Sequence, residues 1–396
     1  MRYKGIFLVS ALAVVAVGAL RLGLPVKVKA EHLVGPGTTV VHSQFGGQIF
    51  GFDIDQNGTE GVLSEAQDIG GGKFLTAVET FDQTSGAILQ VVKKLETKDD
   101  FLTLGIAGTS AALVEHEHVG KIFVSKRIYE ELNPMSKNKF TGIWKAPLTT
   151  NDIILGVSRN QAQPNQPSTT NAVLAFHNGG NDNTFVFGSN VAANTFGPLI
   201  TLTDPVFFFS DSPVVAYDGN TNQAVVAAST GAVGGPAPVI ALADLTTGKV
   251  IEFTGLAGPP PFGSGFVNGL AVDSADGIAV TSTELDFSVE FYDLKKKTGF
   301  AVTLPGASGQ IQSGSDVEYD PVNKLFFVAQ AVSSTGPGSS IHVFDTKGNL
   351  VESLNGFNFS NAFNVVFTHI ALNPSNRSGY VDGPDSNVTD IQSFTY

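Results

Sequence analysis

The sequence predicts an all-β protein built from repeated small sheets, and three observations predict it. First, four stretches share one pattern: VETFD-QTSG-AILQVV, IALAD-LTTG-KVIEF, VEFYD-LKKKTG-FAVTL and IHVFD-TKG-NLVESL. Each alternates to an Asp (Asp82, Asp244, Asp293, Asp345), turns onto a Gly (Gly86, Gly248, Gly299, Gly348) and resumes as a second strand. Second, a companion hairpin pattern precedes it: VAYD-GNTNQ-AVVAAS, LAVD-SADG-IAVTST, VEYD-PVNK-LFFVAQ and IALN-PSNRSG-YVDG, ending their first strands at Asp218, Asp273, Asp320 and Asn373. Asp and Asn suit these places because their side chains bond turn amides and tolerate unusual backbone angles. Third, the chain is rich in Gly (44) and Phe (30) and only 15% charged, a balance that favours strands over helices or disorder.

Two tight hairpins in tandem, joined by a longer connection, make a four-stranded antiparallel meander of roughly 40 residues, the blade of a β-propeller. Seven units fit the chain, at 49–95, 110–157, 171–209, 212–256, 265–305, 314–355 and 366–396. The last has three strands, IALN, GYVDG and DIQSFTY, while TTVVHSQ at 38–44 stands alone. That lone strand is expected to supply the missing outer strand of the last blade, closing the ring and removing an open edge. Residues 31–396 are thus expected to form a single seven-bladed β-propeller domain.

Residues 1–30 read differently. Arg2 and Lys4 precede an apolar run from Gly5 to Leu20, and a short stretch ends Val28-Lys29-Ala30. This predicts a secretory signal peptide cut after Ala30, because the run is short for a membrane span. The expected protein is therefore secreted or periplasmic, with no membrane span after cleavage. Removing 1–30 takes away five basic and no acidic residues, which moves the formal charge from −13 to −18. An acidic surface argues against nucleic acid and anionic lipid as partners. The absence of Cys excludes disulfides, thiolate metal sites and Cys nucleophiles.

The hairpins resemble those of secreted bacterial propellers of the YVTN and NHL type, whose outer hairpins read as alternating apolar residues, Asp, a short spacer and Gly. The resemblance covers the first and the fourth to sixth units by motif, and the others by spacing. The Trp-Asp dipeptides of WD40 repeats, the Asp boxes of sialidases and the per-blade Trp motifs of quinoproteins are missing. Trp144 is the one Trp, which counts against a pyrroloquinoline quinone site.

The connections outside the tight hairpins are long, among them 159–171, 255–267 and 356–368, and in a meander around an axis they emerge on one face. Long loops on a rigid scaffold are where binding concentrates. Phe262 follows Pro259-Pro260-Pro261, and Phe357, Phe359 and Phe363 crowd the last long connection. Prolines pre-order a loop and Phe supplies contact area, so these rings are expected to face a ligand.

Two constellations could carry chemistry. Asp53-x-Asp55-x-Asn57-Gly58 matches the opening of an oxygen-rich calcium loop, although position 12, where the full loop needs a carboxylate, is Ser64. Calcium is thus the candidate metal, with Asp53, Asp55 and Asn57 as ligands. Polar residues entering the expected innermost strands, Asn171, Asp211, Asn268, Asp316 and His369, would converge at one end of the central channel and line a ligand site. Metal-dependent propeller lactonases use a comparable arrangement. His116 and His118 of EHEH fall in a hairpin turn with no third ligand nearby. No Ser-His-Asp order, phosphate loop or dinucleotide fingerprint stands out.

The sequence therefore points to an exported, monomeric binding module that holds a small molecule, glycan or protein on its long-loop face. The alternatives are a metal-dependent hydrolase or lactonase at the channel, and a structural or surface-associated protein.

Overall fold

The computed structural model describes residues 36–54, 59–71, 73–97, 113–117, 120–125, 128–133, 139–145, 152–159, 171–178, 183–190, 195–209, 214–229, 238–256, 267–283, 288–305, 312–333, 339–357, 360–361, 369–382 and 390–396.

The repeated Asp builds its own turn. Asp244 Oδ1 accepts the N–H groups of Thr246 (2.8 Å) and Thr247 (2.9 Å), and Asp320 Oδ1 accepts those of Val322 (2.7 Å) and Asn323 (2.9 Å). Asp82, Asp218, Asp273 and Asp293 bond the same two positions. Four residues after the Asp the backbone enters the left-handed region, at Gly86, Gly248 and Gly277 but also at Asn222, Lys297 and Lys324. Gly is therefore favoured there without being required. The 293 hairpin corrects one expectation. Its left-handed residue is Lys297 (φ 59°), whereas Gly299 lies within the following strand, where its N–H bonds the Gly255 carbonyl.

These turns join strands into meanders. After β1 (Pro36–His42) come β2 (Gln48–Ile54), β3 (Glu60–Asp68), β4 (Phe74–Asp82) and β5 (Ile88–Thr97), hydrogen-bonded in that order. The next sheet holds β6 (Leu113–Glu117), β7 (Gly120–Ser125), β8 (Ile128–Asn133) and β9 (Lys139–Lys145). A third runs β10 (Asp152–Arg159), β11 (Asn171–Asn178), β12 (Asn183–Asn190) and β13 (Thr195–Phe196), with β14 (Ile200–Thr201) also on β12. One helical turn, α1 (Val206–Phe209), precedes the sheet of β15 (Val214–Asp218), β16 (Gln223–Ala228), β17 (Val239–Asp244) and β18 (Val250–Phe253). Then follow β19 (Val267–Asp273), β20 (Ile278–Thr283), β21 (Ser288–Asp293) and β22 (Thr298–Thr303). β23 (Gln312–Asp320), β24 (Leu325–Ser333), β25 (Ser339–Asp345) and β26 (Leu350–Phe357) come next, with β27 (Ser360–Asn361) beside β24. The last strands are β28 (Ile370–Asn373), β29 (Ser378–Asp382) and β30 (Asp390–Thr395), and β1 pairs antiparallel with β30.

The sheets bury both faces. On β16, Ala224, Val226 and Ala228 pack with Val173, Ala175 and Val186 of one neighbour, while Val225 and Ala227 pack with Val272 and Ala279 of the other. Side chains alternate across a strand, so both parities must be apolar here, and the small ones let neighbouring sheets approach. The first strand of each sheet touches the first strand of the next, in the order β2, β6, β10, β15, β19, β23 and β28, and β28 touches β2. At their turns, consecutive sheets are tied by Asn220 to the Ser274 carbonyl (2.7 Å), Lys324 to Asp276 (3.0 Å) and Arg377 to Asn323 (3.2 Å).

Two further expectations are corrected. DIILGV (152–157) was expected to end the second unit, yet β10 opens the third sheet, where it touches both β6 and β15. An apolar strand suits the interior, whereas last strands such as β22 alternate between exposed and half-buried residues. Phe357 does not face a ligand. It is 2% exposed, with its ring edge-on to Phe394 at 5.9 Å. Among the described residues no helix is long and apolar enough to cross a membrane.

Candidate site at the inner strands

β19, β23 and β28 open three consecutive sheets and end at Asp273, Asp320 and Asn373. Four residues before each end stand Gly269, Asp316 and His369. β23 slips by one residue against β24 between Gly314 and Asp316, and β19 slips against β20 between Val267 and Gly269. Such bulges re-aim a side chain out of the regular pleat. Gly269 lies on the Asp316 backbone: a Cβ there would stand 2.5 Å from the Val317 nitrogen and 2.7 Å from Asp316 Cα. Only Gly permits that approach.

Asp316 and His369 meet across two sheets. Asp316 Oδ1 accepts the Val317 N–H (2.8 Å), and Oδ2 accepts the N–H of Ile370, next to His369 (2.9 Å). His369 Nδ1 lies 2.9 Å from Asp382 Oδ2, and the His369 backbone N–H donates to the same carboxylate. Asp382 ends β29, and its own N–H returns a bond to the His369 carbonyl at 3.1 Å. From β2, the Phe52 ring stands edge-on to the imidazole, with centroids 6.5 Å apart.

Burial pushes the Asp316 carboxyl up to about 7, even though His369 and the two amides pull it down. The group lies deep in the protein, yet part of its residue surface stays accessible. Burial works against a charged His369, but the Asp382 carboxylate and its hydrogen bond outweigh it with help from Asp316, so the imidazole is raised. Its side chain is 26% exposed, and its Nε2 makes no hydrogen bond among the described residues. With Nδ1 fixed by Asp382, that nitrogen presents a donor when the ring is protonated. Burial favours the protonated form of Asp316 beside it. The pair can therefore hold a small polar ligand by complementary hydrogen bonds.

Of the residues anticipated along the axis, Asp316 and His369 come together here. Asn268 is half-buried at the β19 bulge, next to Gly269. Asn171 is displaced from the role expected of it: because β10 is the inner strand, Asn171 opens the second strand, β11, opposite Asn190. Asp211 and Phe262 lie outside the described residues, as do Asp55 and Asn57 of the calcium candidate. Asp53 is 8% exposed, and its Oδ1 accepts the Ile54 N–H at 2.8 Å. Among the described residues no group of three His, Cys, Asp or Glu side chains is arranged to hold a metal ion. Sequence reasoning missed Asp382, whose place opposite His369 is set by the β28–β29 pairing and has no counterpart in the repeat.

No protein-family model matches this chain, and no curated protein matches it. Solved structures do. A chain of the mitotic checkpoint complex shares 10% identity over 93% of this chain and 94% of its own, with a TM-score of 0.59. The RRP9 WD40 repeats share 12% identity over 92% and 99%, with a TM-score of 0.56. The Dos1 propeller shares 11% over 91% and 95%, with a TM-score of 0.55. Likeness at such identity fixes the fold, and the fold is a β-propeller.

Proposed function

We propose that this chain is an exported, seven-bladed β-propeller, closed by β1, that works as a binding module through its long-connection face. The observation that carries the reading is the Asp316–His369–Asp382 cluster, partly open to solvent at His369, where the first strands β23 and β28 meet the end of β29. His369 follows one long connection and Asp382 precedes another, so ligand contacts made by those connections would surround it. The ligand class that fits is a small molecule bearing both a hydrogen-bond acceptor, for His369, and a donor, for Asp316. The seven sheets among the described residues, the β1–β30 pairing and the contact of β28 with β2 support the closed ring. The apolar run after Arg2 and Lys4 supports export, which a mass measurement of the mature chain beginning at Glu31 tests.

The binding experiment is a thermal-shift screen of small polar compounds against wild type and His369→Asn. A compound that raises the wild-type Tm and leaves the variant unmoved supports the site. Equal stabilisation of both, or no stabilising compound in a broad library, contradicts it.

A further inference from the structure

We propose that Glu65 and Glu79 form a proton-sharing latch that holds the connection between β1 and β2 closed and releases it in alkali. The connection, residues 43–47, is short and tightly held. Ser43 Oγ donates to the Gly47 carbonyl at 3.1 Å, and three backbone N–H groups point at the two carboxyls. Phe45 and Gly47 donate to Glu65 Oε1 (3.0 Å) and Oε2 (2.7 Å), and Gln44 donates to Glu79 Oε2 (3.0 Å). Register sets Leu63 opposite Glu79 and Glu65 opposite Ala77, so the two side chains lie diagonally on one face of β3 and β4. Both residues are at most 1% exposed.

The hydrogen-bond inventory assigns the proton. Glu65 uses both oxygens as acceptors for amides, which suits a carboxylate. Glu79 Oε1 is buried and accepts no hydrogen bond among the described residues. A carboxylic acid there turns that orphan oxygen into a donor toward Glu65, and it avoids placing two charges side by side in a dry site. Burial foremost, with the Glu65 charge added, raises Glu79 to about 8 against the pull of the Gln44 amide. Among the described residues, charged groups on the surrounding elements include Lys94 and Glu96 on β5, Asp53 on β2, His42 on β1 with Asp390 on β30, and the Asp382–His369 pair of the adjoining sheet. Of these and Glu65, only Glu65 acts on Glu79 appreciably.

The position gives the latch its consequence, since residues 43–47 join β1 to the first sheet. A Glu raised in the folded state loses its proton later than in the unfolded chain. Its stabilisation is whole below the ordinary Glu range near 4.5, declines above it, and is gone once pH passes about 8. Above that, two adjacent carboxylates can regain water only if the connection swings outward.

The test uses the full chain. Thermal unfolding of wild type and Glu79→Gln is followed from pH 5 to pH 9, the Gln amide standing in for the shared proton. The Tm of the variant relative to wild type should rise by several degrees across that range, and parallel curves would overturn the latch. Should the variant fail to fold, the infrared carbonyl stretch of wild type with [13C]Glu decides, because the label separates Glu79 from Asp316. A protonated Glu band that persists at pH 6.5 and fades above 8 supports the latch, and its absence at pH 6.5 rejects it.

Discussion

His42 on β1 and Asp390 on β30 lie 348 residues apart in the chain, yet His42 Nδ1 stands 2.6 Å from Asp390 Oδ1. The pair is exposed, so it contributes at most about 1 kcal/mol. Its importance is register: His42 is opposite Asp390, and Val41, fully buried, is opposite Ile391. β1 also reaches the first sheet, where Thr39 Oγ1 donates to the Thr84 carbonyl at 3.0 Å. One strand thus joins the last sheet and touches the first.

Two turn glycines separate backbone cost from that contact. Both have φ of 73°, but a Cβ at Gly248 meets nothing, whereas one at Gly86 would stand 2.5 Å from the Val40 carbonyl oxygen on β1. Gly248→Ala should cost about 1 kcal/mol. Gly86→Ala should cost at least twice that, as read by urea unfolding, because β1 must shift.

The same turns offer a gain. Lys297 takes a left-handed backbone at φ 59° with its N–H bonded to the Asp293 carbonyl at 2.7 Å. Lys297→Gly removes a cost of about 1 kcal/mol and adds a smaller one in unfolded-chain entropy. Calorimetry should show a Tm raised slightly, by one or two degrees.

Turn aspartates should differ by burial. Asp320 is fully buried, and besides two backbone amides it accepts the Asn323 side-chain amide at 2.7 Å and the Tyr396 hydroxyl at 2.9 Å from the adjoining sheet. Asp320→Ala strands these groups and should cost about 3 kcal/mol, clearly more than Asp244→Ala at its solvent-exposed turn. Equal losses would show that the links to Tyr396 and the Asn323 side chain contribute nothing.

Acid should act through His342. It is 2% exposed, with Nε2 at 2.5 Å from Gln330 Oε1 and Nδ1 at 2.8 Å from Ser353 Oγ, and burial lowers it to about 4. The unfolded chain takes up this proton first, so stability should fall as pH drops from about 6.5 through 4, by up to about 3 kcal/mol. In His342→Gln the fall over that window should be shallower. An identical pH profile would mean the imidazole is protonated in place.

The hairpins were legible in the sequence because their cause is local: an Asp bonding amides two and three residues on needs only its own turn. Lys297 hid its left-handed conformation because Lys carries no signal for it, and Gly299 two residues later looked like the closing glycine. β10 was misassigned because an apolar run does not say which sheet it opens. At the site, Asp316 and His369 could be read from their place before the repeated strand ends, but Asp382 depends on pairing across β28 and β29. Glu65 and Glu79 looked like ordinary strand residues, since the amides of residues 43–47 that bond them come from a distant part of the chain. Phe357 was read as exposed because sequence cannot show that Phe394 would lie against it.

The closed ring can be tested through the absence of cysteine. Substituting His42→Cys and Asp390→Cys together puts thiols on paired residues of β1 and β30, with no other thiol in the chain to compete. Facing positions on adjacent antiparallel strands fall within disulfide reach, and a cross-link closing so long a loop strongly constrains the unfolded chain. Closure by β1 predicts that the folded protein oxidises to an intramolecular disulfide, with a Tm several degrees above that of its reduced form. Thiols that stay free in the folded protein, or that link only between molecules, would contradict it.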